Sequence, residues 1–153
     1  MDAPILKYIH SFSFSLTATP TSSHIVVFTA VLTHPVSLGP LQTIEYDKVI
    51  TNIGNAYETR DGQFSAPVSG VYLISATVYT TGNSVFTEIV KNGKQLAAMY
   101  RDHNDHSGHT IAVLLHKTDR VWVRHFHDNN IAHIYSDVDR YYCTFSGVLL
   151  SLL

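Results

Sequence analysis

The sequence is poor in cysteine. Cys143 is its single cysteine, so an internal disulfide is excluded and cysteine spacing indicates no particular redox compartment. The residues around Cys143 are apolar and typical of a late strand, which predicts a buried thiol. Pairing with a cysteine of another chain is the alternative that this position leaves open.

Charge is scarce as well. Charged residues make up 14% of the 153 residues, the formal net charge is −2, and no block of Lys or Arg is present. A surface for nucleic acid or for anionic membranes is therefore not expected. No apolar run is long enough for insertion into a membrane, and the start of the chain does not read as a convincing signal peptide.

Motifs of the common catalytic sites are also missing. The sequence contains no G-x-S-x-G elbow, no H-E-x-x-H and no glycine-rich phosphate loop. The apolar surroundings expected for Cys143 disfavour a reactive thiolate. We therefore expect no enzymatic activity.

Short apolar segments and turn signals dominate the chain from residue 24 to residue 153. The turns recur roughly every eight to twelve residues, which is typical of all-β domains. Asn92-Gly93 lies between two such segments and predicts a tight hairpin. Several segments are apolar on both faces, which favours a sandwich whose exterior contacts another subunit. Residues 1–23, rich in Ser and Thr, are predicted to be an N-terminal arm, either mobile or forming an edge strand.

One stretch carries the pattern of a known family. Residues 46–72 read YDKVITNIGNAYETRDGQFSAPVSGVY, and the chain closes on FSGVLL from Phe145 to Leu150. These spacings resemble the signature of the complement C1q globular-head family, and the resemblance covers residues 24–153. Tyr46 stands where that family usually has Phe, a substitution that affects packing and leaves the fold expectation unchanged.

The resemblance implies a fold, an assembly and a function. It implies a ten-stranded jelly-roll β-sandwich of the C1q and tumour necrosis factor type that forms a homotrimer. It also implies recognition of diverse ligands, among them microbial carbohydrates. No Gly-X-Y collagen repeat precedes the domain in this sequence, so the chain is similar to the stand-alone globular type found in invertebrate immune repertoires.

Histidine is abundant, and the densest polar run, RDHNDHSGH, is predicted to be a loop between two strands. Imidazole and carboxylate together suit Zn²⁺, whereas carboxylate with carbonyl oxygen suits Ca²⁺. In several members of the family an acidic residue of this loop binds Ca²⁺ near the trimer axis, and Asp102 and Asp105 are the nearest equivalents. The candidate metal ligands are Asp102, His103, Asp105, His106 and His109. A solvated polar loop without metal is the alternative.

Carbohydrate sites combine an aromatic platform with planar polar side chains. Two sets in this sequence fit that description, although a lone tryptophan on a strand is more often part of a core or an interface. The first set is Trp122 with Arg124, and the second is Tyr135 with Asp137, Asp139 and Arg140.

Three functions remain open at this point. The leading hypothesis is a secreted, lectin-like innate-immune recognition protein that binds carbohydrate or microbial surfaces as a trimer. The ten histidines motivate a divalent-metal-binding protein of extracellular fluid. A cytokine-like ligand for a protein receptor is the third, since the tumour necrosis factor family has a related jelly roll. No cofactor is certain, and Ca²⁺ or Zn²⁺ is the metal to test.

Overall fold

The domain is built from β-strands, in which side chains point alternately to the two faces of a sheet. The computed structural model describes residues 24–153, and the predicted arm of residues 1–23 lies outside them. The described residues form no helix and twelve strands: β1 (Val27–Val31), β2 (Val36–Leu38), β3 (Lys48–Ile53), β4 (Tyr57–Glu58), β5 (Gln63–Ser65), β6 (Gly70–Thr80), β7 (Val85–Lys91), β8 (Lys94–Arg101), β9 (Asp105–Leu115), β10 (Arg120–His125), β11 (Ala132–Ile134) and β12 (Thr144–Leu152).

The strands form two sheets that face each other as a sandwich. The five-stranded sheet has the order β4-β5-β10-β7-β8. The seven-stranded sheet has the order β2-β11-β6-β12-β1-β3, with β9 also paired to β6. All pairings are antiparallel. The predicted jelly-roll class is confirmed. The described residues form twelve strands where ten were expected, and four of these strands, β2, β4, β5 and β11, have only two or three residues each.

A cluster of aromatic rings joins the two sheets. Phe28 of β1 stacks on Tyr57 of β4 and Phe64 of β5, with ring centroids 5.3 and 4.8 Å apart. Phe145 of β12 meets the Phe28 ring edge-on at 4.9 Å. Phe28, Phe64 and Phe145 are completely buried. Each such ring removes a large apolar area from water, so this cluster is a main source of the sandwich's stability.

Residues in the stretch that resembles the family signature, residues 46–72, have structural roles here. The side chain of Asn52 closes the turn before β4: its Oδ1 accepts from the Ala56 and Tyr57 amides at 3.0 and 3.2 Å, and its Nδ2 donates to the Tyr57 carbonyl at 2.9 Å. The buried Tyr57 hydroxyl donates to the Tyr46 carbonyl at 2.9 Å. Burial raises the pKa of the Tyr57 phenol, so the group stays neutral and satisfied inside the core.

The predicted hairpin at Asn92-Gly93 is confirmed. It joins β7 to β8, and both residues have positive φ, 50° and 82°, as a two-residue turn between twisted strands requires. Cys143 is buried, as predicted, and burial raises the pKa of its thiol to about 11.

The two ends of the sandwich differ in what they carry. The connections at residues 81–84, 102–104, 126–131 and 135–143 meet at one end, which we call the loop end. The described chain starts and finishes at the opposite end, because β12 finishes beside Gly70 at the start of β6 and β1 begins opposite Val148 of β12. None of the described residues forms a helix of membrane-spanning length and hydropathy.

Gly70 supplies a test of this packing. A Cβ at Gly70 would collide with the backbone carbonyl of Ser151 and the side chain of Leu149, whereas at Gly39 the nearest atom, Gln42 Oε1, would be 3.5 Å away. We expect Gly70→Ala to lower the free energy of unfolding by about 2 kcal/mol, in the range of overpacked cores. Gly39→Ala is the matched control and should change it little. Urea denaturation at one protein concentration measures both, and equal midpoints would contradict the packing described here.

Candidate ligand-binding site

Side-chain hydrogen bonds tie the connections of the loop end to one another. Asn104 Oδ1 accepts from the Gly82 amide at 2.8 Å, and Ser84 Oγ donates to Asp102 Oδ1 at 2.7 Å. Asn130 Nδ2 reaches the Ser84 carbonyl at 3.4 Å. Three separate connections therefore hold one another in place, and the polar groups that they expose are kept in fixed positions.

Asp102 and His103 are the predicted metal residues that lie in this network. The imidazole Nδ1 of His103 lies 2.8 Å from Asp102 Oδ1, and both side chains are mostly exposed. The Ser84 hydrogen bond is the main cause that lowers the pKa of Asp102, and the nearby His103 lowers it further. Asp102 is therefore a carboxylate at neutral pH, and both contacts use its Oδ1, which leaves Oδ2 available to a ligand.

The prediction that the whole histidine-rich run is one loop is wrong. Strand β9 begins at Asp105, because its backbone pairs with β6 from Thr80 onward. His106 and His109 then point to opposite faces by strand alternation, and the Asp105 carboxylate pairs with Arg101. Within residues 24–153 no three His, Cys, Asp or Glu side chains are grouped as metal ligands. The donor set of one described chain thus does not fit a complete Zn²⁺ or Ca²⁺ site.

His106 belongs instead to an aromatic group on the outward face of the seven-stranded sheet. Its ring lies 4.7 Å from that of Tyr79 and 5.7 Å from that of Tyr142. Tyr135, predicted to be a carbohydrate platform, packs against the same tyrosines at 6.1 and 5.8 Å. Its ring is half-buried and is committed to these neighbours.

Trp122 and Arg124 point outward from β10, on the opposite side of the molecule. The Arg124 guanidinium donates to Glu88 at 2.7 Å and to the Gly93 carbonyl at 3.2 Å. Glu88 is 2% exposed, so the pair is largely removed from water and each charge depends on the other. Arg124 is thereby occupied by the protein, and the structure does not bring this set together with the set around Tyr135.

The remaining predicted ligand residues form a turn. The Asp137 carboxylate accepts from the backbone amides of Asp139 and Arg140 at 3.0 and 2.8 Å. The Arg140 guanidinium lies 3.7 Å from the same carboxylate and donates to the Tyr142 hydroxyl at 3.1 Å. Asp139 and Arg140 are exposed, so their side chains are the part of this turn that a ligand can reach.

Sequence reasoning missed an exposed aromatic group beside the loop end. Phe86 of β7 lies between Tyr100 of β8 and Phe126, with ring centroids 4.4 and 6.1 Å away, and the His127 ring lies 4.0 Å from that of Phe126 at an interplanar angle of 42°. We call these four side chains the ring patch. Counting residues outward from the turn at Asn92-Gly93 does not find this group, because Leu96 of β8 is an extra, bulged residue opposite residues 89–90 of β7 and shifts the register by one.

Comparison with known proteins agrees with the fold. The C1q domain family model matches residues 27–150. Human complement C1q tumor necrosis factor-related protein 3 is 34% identical over 113 residues, 70% of this chain and 44% of the relative. Heavy metal-binding protein HIP of Mytilus edulis is 36% identical over 84 residues, 54% of this chain and 36% of the relative. The chain thus spans less than half the length of these relatives.

Solved structures show the same architecture. The globular domain of zebrafish complement 1qA superposes with a TM-score of 0.68 at 13% identity, covering 84% of this chain and 99% of that chain. Eiger TNF from S. frugiperda gives 0.71 at 14% identity, covering 84% and 94%. At such identities the likeness concerns the fold alone. Since the family model matches most of the sequence, this chain belongs to the C1q domain family.

Proposed function

We propose that the protein is a secreted recognition protein that assembles as a homotrimer and binds carbohydrate on microbial surfaces through its loop end. Membership of the C1q domain family supports a ligand-binding role, and nothing in the described residues points to catalysis. The single thiol, Cys143, is buried with its pKa raised to about 11, so it is a poor nucleophile.

The loop end is the observation that carries the ligand-binding proposal. Exposed carboxylate and amide groups, those of Asp102 and Asn130, are fixed there through Ser84. Sugar hydroxyls both donate and accept hydrogen bonds, so a carboxylate acceptor and an amide donor held at fixed positions suit them. Because these groups are already ordered, a ligand loses less conformational entropy on binding.

The trimer proposal rests on the outward face of the seven-stranded sheet. Along β1, β6, β9 and β12 the outward residues include no Asp, Glu, Lys or Arg, and Val27, Leu73 and Val148 line its shallow central depression. Leu114 and Leu150, 44% and 57% exposed, extend the apolar area. A contiguous uncharged face of this kind is typical of a subunit interface. A second copy of the chain is its occupant, and closed three-fold symmetry is what the family resemblance implies.

Leu73→Asp tests the assembly. Three copies of the 17.1 kDa chain have a mass of about 51 kDa, and we expect light scattering to give this value for the wild type. A buried carboxylate at the interface would be unpaired, so Leu73→Asp should give single subunits. Leu41→Asp, which changes an exposed leucine away from this face, is the control and should stay trimeric. A wild type of about 17 kDa at micromolar concentration would refute the trimer.

Carbohydrate binding is tested on an array of microbial glycans and polysaccharides. We expect the wild type to bind at least one glycan, and the Leu73→Asp subunit to bind the same glycan at least about tenfold more weakly, because simultaneous engagement of several sites is lost. The Leu41→Asp protein should bind like the wild type. Absence of binding to every glycan by the folded trimer would contradict the carbohydrate proposal.

Metal binding is the second candidate, favoured by the matching relative named heavy metal-binding protein HIP. One subunit supplies Asp102 and His103 as adjacent donors, fewer than the four that Zn²⁺ usually takes. Binding would therefore need donors from other copies.

Calorimetry with Zn²⁺ alone tests this candidate. Binding by the wild-type trimer that disappears in both His103→Ala and the Leu73→Asp subunit is the expected result for a site shared between copies. His34→Ala removes an exposed histidine on another connection and serves as the control. An isotherm unchanged by His103→Ala would remove this residue from the metal hypothesis.

A further inference from the structure

The ring patch forms an aromatic surface across β7, β8 and the two residues that follow β10. Phe86 and Tyr100 are direct cross-strand partners on the outward face of the five-stranded sheet, and the Phe126 amide extends the ladder by donating to the Phe86 carbonyl at 3.0 Å. Phe86 is 38% exposed and Tyr100 49%. Burying these rings in the sandwich is impossible from their outward positions, so part of their apolar area faces water permanently.

Polar groups of the loop end lie at the edge of this surface. The Tyr100 hydroxyl donates to Ser84 Oγ at 3.4 Å, and Ser84 in turn holds Asp102 and Asn130. The Ser84 hydroxyl therefore links the Tyr100 ring to the Asp102 carboxylate. An aromatic surface bordered by a few fixed polar groups is the usual composition of a small-molecule site.

A pyranose has the complementary chemistry. One of its faces presents C–H groups, which lose unfavourable contact with water against a ring and meet the negative face of the aromatic π-system. Its hydroxyls at the edge can donate to a carboxylate oxygen and accept from an amide. The ring patch offers the first kind of contact, and Asp102 with Asn130 offers the second.

Local charge narrows the class of sugar. The two arginines nearest to the patch along the strands already form ion pairs, Arg101 with Asp105 and Arg124 with Glu88. The Asp102 carboxylate is held beside the patch by the hydrogen bond from Ser84. An anionic sugar would place like charges close together without a free guanidinium to compensate.

We infer that the ring patch is the carbohydrate subsite of the protein and that it takes a neutral pyranose, stacked on Phe86 and Tyr100 with hydroxyls bonded to Asp102 and Asn130. Acidic sugars are excluded by the carboxylate. This inference rests on the proposed carbohydrate-binding function and assigns it to a surface and a ligand class.

The test uses the whole chain on agarose bearing lactose, mannose or N-acetylglucosamine, with 3′-sialyllactose as the anionic counterpart of lactose. The buffer is at pH 8, above the range in which histidine side chains generally titrate. The double variant Phe86→Leu/Tyr100→Leu keeps apolar volume but removes the flat rings. Trp122→Leu removes the other aromatic platform on the same face of the sheet, the one that the sequence suggested, and so distinguishes that platform from the ring patch.

We expect the wild type to bind at least one neutral sugar, the double variant to bind it at least about tenfold more weakly, a loss of about 1.4 kcal/mol, and Trp122→Leu to bind it normally. Circular dichroism checks that each variant is folded. Binding that survives in the double variant, or is lost in Trp122→Leu alone, overturns the assignment and leaves the lectin function standing. Equal or tighter binding of sialyllactose overturns the exclusion of acidic sugars. If the wild type binds neither these sugars nor any glycan on the array, the proposed function fails first.

Discussion

The contact on which the structure most depends is the stack of aromatic rings around Phe28. This one side chain comes from the seven-stranded sheet and packs between two rings of the five-stranded sheet, Tyr57 and Phe64, while Phe145 closes the group from β12. The short strands β4 and β5 have few ladder hydrogen bonds of their own, so ring packing sets their distance from the opposite sheet. The Asn52 turn delivers Tyr57 to that position.

With the interior closed in this way, the two outward faces have different chemistry. The face of the seven-stranded sheet is uncharged along four neighbouring strands, whereas the other face holds the Glu88–Arg124 ion pair and the ring patch. An ion pair that is nearly removed from water costs free energy to desolvate. Such a pair is tolerated on a face that stays open at its edges, and it would be expensive inside a subunit interface made mainly of apolar groups. This asymmetry is the basis of the proposal that the uncharged face contacts other subunits and that the face with the ring patch binds ligand.

The limits of sequence reasoning are visible in particular elements. Spacing between aromatic and glycine residues was sufficient to predict the fold, and Phe64, Tyr72 and Phe145 are completely buried core rings, as that spacing predicted. The hairpin at Asn92-Gly93 could also be predicted, because these two adjacent residues determine the turn. The candidate site was harder to predict from the sequence. Counting residues outward from that turn places Met99 opposite Phe86, and only the bulge brings Tyr100 to that position. The first half of β9 was predicted to be a loop because its residues are polar. Its backbone is extended because it pairs with β6, about thirty residues away along the chain.

The pairing of β12 with β6 has a practical consequence. Since Leu153 lies at the end of the sandwich remote from the loop end, where its amide donates to the Ser69 carbonyl, material joined to it extends away from Ser84, Asp102 and Asn130. A biotin, a fluorophore or a fused carrier protein can thus be attached at Leu153 with the loop end oriented outward. The same geometry means that molecules immobilised through Leu153 would all present their loop ends away from the support.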